Sequence, residues 1–468
     1  AVFPAAPARY PTRAQSMLPR KSKVRHVFHQ PVKADETYTA IKPTNKSGPH
    51  QFIKANTKYF ALSEQAGGGG PLLVRSFSQT GKLPTAHHKI TGHTAAVFDF
   101  DWNPFHEQLL AAGDEAAELM LWGIPDGPDG LTEDLHTPLQ KFKGHRKKIS
   151  FVLFNPCAEN VIASASWDST VKIWDMQTAA NKFTIADAHK KPITDLKWNY
   201  DGSILATTCQ DKKSRFFDPR ASTQLVAEFQ AHKGGKPSKN CFLGSKQMMV
   251  TVGFTKQSKR EFKFWDIRNL SEPAMVNKID IDQSAGMIWP FYDEGLSLLF
   301  FAGKGDGNIR MFEVTDEAPY AFPVSEARST DSTKGICMVP KRTLDVVSGE
   351  CCRFMKVTAK SVVPMPFVVP RKVKVFHEEL FPDDIAGVPS VTIDEWCAGT
   401  NKPPVLMSLD PEQREAAPAS GAASGGGAAA AEMTFTKSAE ELQKELDAAL
   451  AKIATLEAKV AELEADAP

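Results

Sequence analysis

A motif that returns every 43 to 52 residues constrains this chain more than any other feature of it. Gly92-His93 is followed by Leu121-Trp122, Gly144-His145 by Ile173-Trp174-Asp175, Ala188-His189 by Phe217-Asp218, and Ala231-His232 by Trp265-Asp266. A fifth strand end, Phe312-Glu313, has no His turn before it. The five aromatic residues stand 52, 43, 48 and 47 positions apart, the length of four short strands with their turns and the period of one propeller blade. In the clearest unit, Gly144 to Asp175, the strands read as Ile149–Phe154, Val161–Ala165 and Val171–Trp174, broken by Asn155-Pro156 and Trp167-Asp168-Ser169. Within it His145, Ser164, Asp168 and Trp174 are placed to form a buried hydrogen-bond chain that locks the turns. The next unit repeats this with His189, Thr207 and Asp211, but Phe217 replaces the Trp donor. In the unit before it, His93 and Trp122 are in place while Asp114-Glu115 makes the tight turn irregular. A catalytic or metal set would occur once; these residues recur at the blade period and are read as structural.

Three weaker units complete the count. They are Tyr59–Leu62 with Leu72–Phe77; Leu298–Phe301 with Ile309–Val314, split by the Gly-rich turn Gly303–Gly307; and Gly335–Val339 with Asp345–Gly349 and Phe354–Val357. The expected fold is therefore an all-β seven-bladed β-propeller of WD repeats over residues 21–370, closed by a strand near residues 24–29 in the last blade, which leaves only short, protected edges. Residues 1–20 are expected to be a disordered leader. Residues 371–410 read as an extension packed on the propeller through Phe376, Phe381, Trp396 and Leu406, and 411–437 as an Ala/Gly-rich flexible linker.

The tail has a different period. Ser438-Ala439-Glu440-Glu441 is a capping box. After it, Leu442, Leu446, Ala449, Ile453, Leu456, Val460 and Leu463 alternate by four and three, which predicts a coiled coil over residues 438–466. A lone helix of this length is marginal in water, so the seam argues for self-association. Ile453 and Val460 at a with Leu456 and Leu463 at d allow two strands. The pairs Lys452 with Glu457 and Lys459 with Glu464 resemble the signature of short trimeric coils. A homotrimer is favoured, with a dimer as the alternative.

Charge and chemistry narrow the function. The chain of 468 residues is neutral within one charge, but its ends are not. Residues 1–60 carry eleven Lys and Arg against Asp35 and Glu36, and residues 432–466 carry nine acids against four lysines. Such ends suit surfaces that meet different partners. Seven scattered cysteines without a C-x-x-C pair read as reduced thiols filling the core. No apolar run has the length of a membrane span. There is no G-x-S-x-G elbow, phosphate-cradling loop or H-E-x-x-H pair, so no enzyme, cofactor or metal is expected. His87-His88 reads as a solvent-facing pair. No stacking aromatics interleave with the amino-terminal cations, which argues against nucleic acid.

Several strings outside the repeats are more specific. They are Ser22-Lys23-Val24-Arg25-His26-Val27-Phe28 with Gln30-Pro31-Val32-Lys33-Ala34-Asp35, Gly303-Lys304-Gly305-Asp306 with Ile309-Arg310, Met338-Val339-Pro340-Lys341-Arg342, Val369-Pro370-Arg371-Lys372, and Glu379-Leu380-Phe381-Pro382-Asp383. With the blades and the terminal coil, the chain resembles the coronins, a family of WD-repeat proteins that bind actin filaments. The resemblance covers about residues 20–466. It implies a cytoplasmic scaffold at the actin cytoskeleton and cell cortex that binds filament sides and bundles filaments through its oligomer. It also implies a filament-binding role for the basic residue after Tyr-x-x-Ile; here Tyr38-Thr39-Ala40-Ile41 puts Lys42 there. Lys23, Arg25 and Lys33 are candidate companions by charge, and Lys341, Arg342, Arg371 and Lys372 form a second candidate set. The same basic face would suit anionic phosphoinositide headgroups. Contact with the actin-branching complex is left open, because the family uses its linker and coil for it and this linker is short and of low complexity. The rival reading is a WD-repeat adaptor for a ubiquitin ligase or a microtubule-based assembly, which the fold alone permits.

Overall fold

The computed structural model describes residues 22–416, apart from 66–68, 128–129, 222–223, 276–278 and 283. The leader 1–20, most of the linker and the whole coiled-coil segment with its seam and ion pairs lie outside the described residues. Seven sheets form a ring, antiparallel but for the parallel pairing of Gly81–Lys82 with Tyr38–Thr39 at the outer edge of blade seven. Their innermost strands are Ile53–Ala55, Val97–Trp102, Ile149–Phe154, Ile193–Trp198, Lys239–Phe242, Ile288–Asp293 and Gly335–Met338. Blades two to six run their four strands in sequence order, and blade one has three. Every blade is covered on both faces by its neighbours, so its middle strands read as unbroken apolar runs rather than alternating ones. Leu298-Leu299-Phe300-Phe301-Ala302, for example, is buried throughout.

The innermost strands have one edge without a partner strand, and carboxylates reach across to it. Asp99 and Asp101 of blade two accept the backbone N–H groups of Val152 (3.0 Å) and Phe154 (2.9 Å) in blade three, and Asp195 of blade four accepts that of Asn240 (2.8 Å) in blade five. Half-buried Lys54 and buried Lys239 balance these charges. Lys54 lies 3.2 Å from Asp101 and 3.5 Å from Asp99, and Lys239 lies 2.9 Å from Asp195. Unpaired edge donors would otherwise be lost to solvation.

Blade seven closes the ring. Its third strand, Ser361–Val368, was not foreseen, because Pro364 and Pro366 argue against a strand; nor is there a strand at Asp345–Gly349, where the chain turns. Pro366 O accepts the N–H of Gln30 at 2.9 Å. Within a strand a residue's N–H and C=O point the same way, so the donors that both prolines lack face the outer edge. There the amino-terminal chain pairs only at the two ends, Phe28–His29 against Val368 and Phe367, and Tyr38–Thr39 against Val362 and Ser361. Between them it leaves the edge as the short 3-10 turn Ala34–Glu36. Val24, Val27, Tyr38 and Ile41 are all buried and anchor the closure.

The blade networks follow one chemistry with local substitutions. In blade three Trp174 Nε1 donates to Ser164 Oγ (2.8 Å), Ser164 lies 2.7 Å from His145 Nε2, and His145 Nδ1 faces Asp168 at 3.0 Å. Burial alone would raise the Asp168 carboxyl, but hydrogen bonds from His145, the Arg146 N–H and Thr170 hold it well below the usual carboxylate range. Blade five has the same chain as Trp265, Thr251, His232 and Glu261, the acid coming from the next strand. In blade two Trp122 donates directly to His93 (3.1 Å), and Asp114 faces His93 at 3.0 Å, so the turn that looked irregular carries the acid itself. Blade four departs from expectation. His189 does not meet Asp211; the Arg215 guanidinium stands between them, 3.3 Å from His189 Nδ1 and 2.7 Å from Asp211. Burial and the Arg215 charge lower the His189 pKa to about 4.

The carboxy-terminal extension crosses the face opposite the His turns. Leu380, Phe381 and Leu409 are buried between blades six and seven, while Val391 and Trp396 are buried between blades three and four. The outgoing and returning arms pair at Asp384–Ile385 and Leu406–Met407. Trp396, in the capped helix Ile393–Cys397, donates from Nε1 to Gly202 O at 2.9 Å. Leu406 is exposed rather than an anchor; the buried leucines are Leu380 and Leu409. The linker expected from residue 411 begins as a helix, Pro411–Ala416, with Asp410 Oδ1 accepting the Glu412 N–H.

Two outcomes follow from this packing. Trp396→Ala empties a buried indole site and removes a hydrogen bond, so it should cost about 3–5 kcal/mol in urea unfolding; a loss below about 1 kcal/mol would mean the extension adds little to the fold. For His189 the folded pKa lies below the unfolded 6.5, so only the unfolded chain takes up a proton as pH falls from 6.5 towards about 4. Stability should therefore decline across that window, by up to roughly 3 kcal/mol from this group, and His189→Gln should flatten the decline measured by urea titration at stepped pH.

Candidate filament-binding surface

The candidate cations divide into three groups. Lys42 stands at the end of blade seven that carries the His turns in the other blades. Tyr38 and Ile41 are buried on either side of a turn whose Ala40 takes φ 62°, and Tyr38 Oη donates to Phe77 O at 2.8 Å. These anchors, with the Lys42 carbonyl accepting the Gln65 N–H at 2.9 Å, leave the Lys42 side chain exposed, its ammonium without a hydrogen bond or ion pair among the described residues. Lys360 is also exposed, in the adjoining turn, and its carbonyl accepts the Ile41 N–H at 3.0 Å.

Lys23, Arg25 and Arg371 meet at the other end of the same strand and line one groove with Phe28; Lys372 is exposed just beyond it. Lys23 Nζ donates to Glu379 O at 3.2 Å, and Arg371 lies 3.7 Å from the Glu379 carboxylate. The eight residues of Ser361–Val368 put about 23 Å between this cluster and Lys42. Lys33 lies between the two, exposed, but beside Asp35 and Glu36.

Lys341 and Arg342 do not belong to the surface. Lys341 is buried with its Nζ 2.5 Å from Asp293. Burial pulls its pKa down, but the Asp293 charge outweighs this and holds it above the usual lysine value. Arg342 donates to Ala386 O at 2.6 Å and packs over Gly387, which fastens the extension to blade seven. The basic string at 341–342 is structural because it lies in the loop that the extension covers.

A further basic patch was missed. Arg146 and Lys147, Lys190 and Lys191, Lys212, and Lys233 are exposed on the His-turn loops of blades three to five. Of the carboxylates near these loops, Asp168 and Asp211 are already engaged by His145 and Arg215, while Asp187, two residues before His189, is exposed. The signal lay inside the repeat: the motif His is followed directly by Arg146-Lys147-Lys148, by Lys190-Lys191 and by Lys233 in three consecutive units. On this face Trp167 is exposed with the Lys148 ammonium 3.8 Å from its ring centre. The pair His87-His88 splits between two carboxylates, His87 at 3.2 Å from Glu64 and His88 at 3.6 Å from Asp134. Among the described residues no three His, Cys, Asp or Glu side chains are grouped to hold a metal ion, and no helix is long and apolar enough to cross a membrane.

Seven sheets closed by the amino terminus, with His–acid–Trp chains inside the blades, define a WD-repeat β-propeller. Models of the WD domain, G-beta repeat, match residues 85–122 and 136–175, and a model described as a type of WD40 repeat matches 362–404. A model of the anaphase-promoting complex subunit 4 WD40 domain matches 166–253, and one described as a domain of unknown function (DUF1899) matches 18–82. The chain is 37% identical to human Coronin-2A over 84% of its own length and 75% of that protein's. It is 38% identical to Coronin-A of Dictyostelium discoideum over 84% of its length and 86% of that protein's. The crystal structure of the WD40 domain of Toxoplasma gondii coronin superposes with a TM-score of 0.77 at 30% identity, covering 83% of this chain and 98% of that one. The chain belongs to the coronin family.

The division of the cations predicts separable phenotypes. Lys341→Met leaves Asp293 buried without its partner and should cost about 3–5 kcal/mol of stability. Lys372→Ala should stay within about 0.5 kcal/mol of the parent. Thermal unfolding of the two variants side by side checks this.

Proposed function

We propose that this protein binds the sides of actin filaments through the exposed cations of blade seven, with Lys42 as the central contact, and cross-links filaments through self-association of its tail. One observation carries the reading. The residue at the family's filament-binding position is held outward by two buried neighbours and has no carboxylate partner among the described residues, while nearby Lys46 is already paired with Glu115 at 2.8 Å. An exposed, unneutralised cation on a rigid turn suits an acidic protein surface and loses little conformational freedom on contact.

The mechanism is avidity. A single propeller meets the filament through a polar, salt-sensitive contact. Two or three propellers tethered by residues 417–437 raise the effective concentration of the second contact and bridge neighbouring filaments. The favoured assembly is a homotrimer, and the expected location is the cytoplasm at the actin cytoskeleton. Anionic phosphoinositide membranes are a compatible second surface for the same cations. The actin-branching complex is not assigned as a partner.

Co-sedimentation with actin filaments tests the reading. The full chain should pellet and bundle at low salt and less so at high salt. Lys42→Glu should weaken pelleting roughly 5- to 10-fold, and a chain ending at residue 416 should lose bundling before it loses binding. Pelleting with microtubules in place of actin would transfer the scaffold to another assembly.

A further inference from the structure

The groove at the foot of blade seven has a composition that filament binding does not account for. Its volume is about 530 Å³, and its walls come from Ser22–Phe28 and Val369–Arg371. Phe28 is 53% exposed and stacks on His26 with ring centres 6.2 Å apart. Immediately beyond it, Arg371-Lys372-Val373-Lys374-Val375 is exposed throughout, with Val373 at 60% and Val375 at 48%. Basic and apolar side chains thus reach solvent together. An acidic protein surface would engage the cations but would leave Phe28 at the groove, and Val373 and Val375 in the exposed segment that leaves it, in water, and exposed apolar side chains interleaved with cations suit an interaction site. The matching occupant is acidic and also apolar at short intervals.

The chain carries such a segment. Residues 432–466 have nine acids against four lysines, with an apolar residue every three or four positions from Leu442 to Leu463. The described chain delivers it to the same blade. Helix Pro411–Ala416 is tied down where Arg414 Nη1 donates to Arg342 O at 3.3 Å. From there 21 residues rich in Ala, Gly and Ser lead to Ser438. A flexible linker of that length has an r.m.s. reach of about 25 Å, close to the length of the outer edge of blade seven. Its free end therefore samples the groove at an effective concentration in the millimolar range.

We infer that the acidic segment 438–466 docks in cis on the Phe28 groove and the exposed segment 371–375 that leaves it, and that this docking competes with its own self-association. The apolar positions that face the groove are those of the coil seam, so one segment cannot satisfy both. Cis docking does not depend on protein concentration, whereas self-association does. The groove is covered when the protein is dilute and opens when chains gather. The docking itself does not depend on the filament reading; only its consequence does, the masking of Lys23, Arg25, Arg371 and Lys372 until oligomers form.

The experiment is zero-length carbodiimide cross-linking of the full chain at submicromolar concentration, on a one-to-one mixture of ¹⁴N- and ¹⁵N-labelled protein. The expected result is single-isotope cross-links from the acids between Glu440 and Asp466 to Lys23, Lys372 or Lys374. Their yield should fall several-fold in the double variant Phe28→Ser, Val373→Ser, which keeps every lysine. Mixed-isotope links confined to residues 438–466, or cis links that land on Lys190 and Lys191 instead, would overturn the proposal. A second arm measures binding to phosphatidylserine vesicles. Deletion of residues 438–466 should increase it several-fold; equal binding with and without the tail would mean the groove stands open, and would equally overturn the proposal. No filament enters either arm, so failure here and failure in the pelleting assay are separate results.

Discussion

Everything in this molecule depends on closing a ring from a linear chain. Six blades can stack in sequence order, but the seventh has an outer edge that only the beginning of the chain can cover. The residues that do so are short in strand and rich in anchors: two residues pair at each end of Ser361–Val368, while Val24, Val27, Tyr38 and Ile41 supply the burial. The two prolines of that strand fit because their missing donors face the outer edge, where the covering chain lifts away after the Gln30 N–H bond to Pro366 O. The closure also places the amino-terminal basic segment on the outside of the ring. The surface proposed to meet a partner is a by-product of the seam that holds the fold together.

The ring's interior shows how charge is tolerated in so apolar a body. Asp99, Asp101 and Asp195 are each bonded to a backbone N–H of the following blade and balanced by Lys54 or Lys239. Between blades five and six, Arg260 is fully buried, with Nε donating to Gly286 O at 2.6 Å and its guanidinium on Asp282 and Asp306. Asp306 belongs to the Gly-rich turn at 303–307, between the second and third strands of blade six, so that turn supplies an acid there as the Asp168 turn does in blade three. Breaking any of these pairs on one side strands a charge in a dry site, the costly case for buried ions.

The repeat made the fold legible. Aromatic spacing and β-branched runs located the three inner strands of blade three to within one residue at each end, though not the outer strand Asn181–Ile185, because each blade solves the same packing problem and the motif reports it several times over. What the period could not carry was anything that occurs once. Ser361–Val368 was hidden by its prolines, and Arg215 took the place of a direct His–Asp contact in blade four. The candidate surface was legible in part. Lys42 is exposed just after the two buried residues that define its motif, whereas Lys341 and Arg342 are equally basic in sequence but lie under an extension whose path no local pattern reveals. The basic loops of blades three to five were overlooked because the motif His drew attention away from the lysines that follow it.

The extension leaves blade seven, spans the ring to seat Trp396 between blades three and four, and returns to bury Leu409 between blades six and seven before the helix at 411–416. The tail therefore departs from the blade that presents Lys42. Tension between a filament held at Lys42 and a partner held by the tail would run through one blade and its clamped arms, loading the strand pairs along their length rather than peeling the ring open at its seam. In that geometry the closing pairs Tyr38–Thr39 and Phe28–His29 on Ser361–Val368 are loaded in shear.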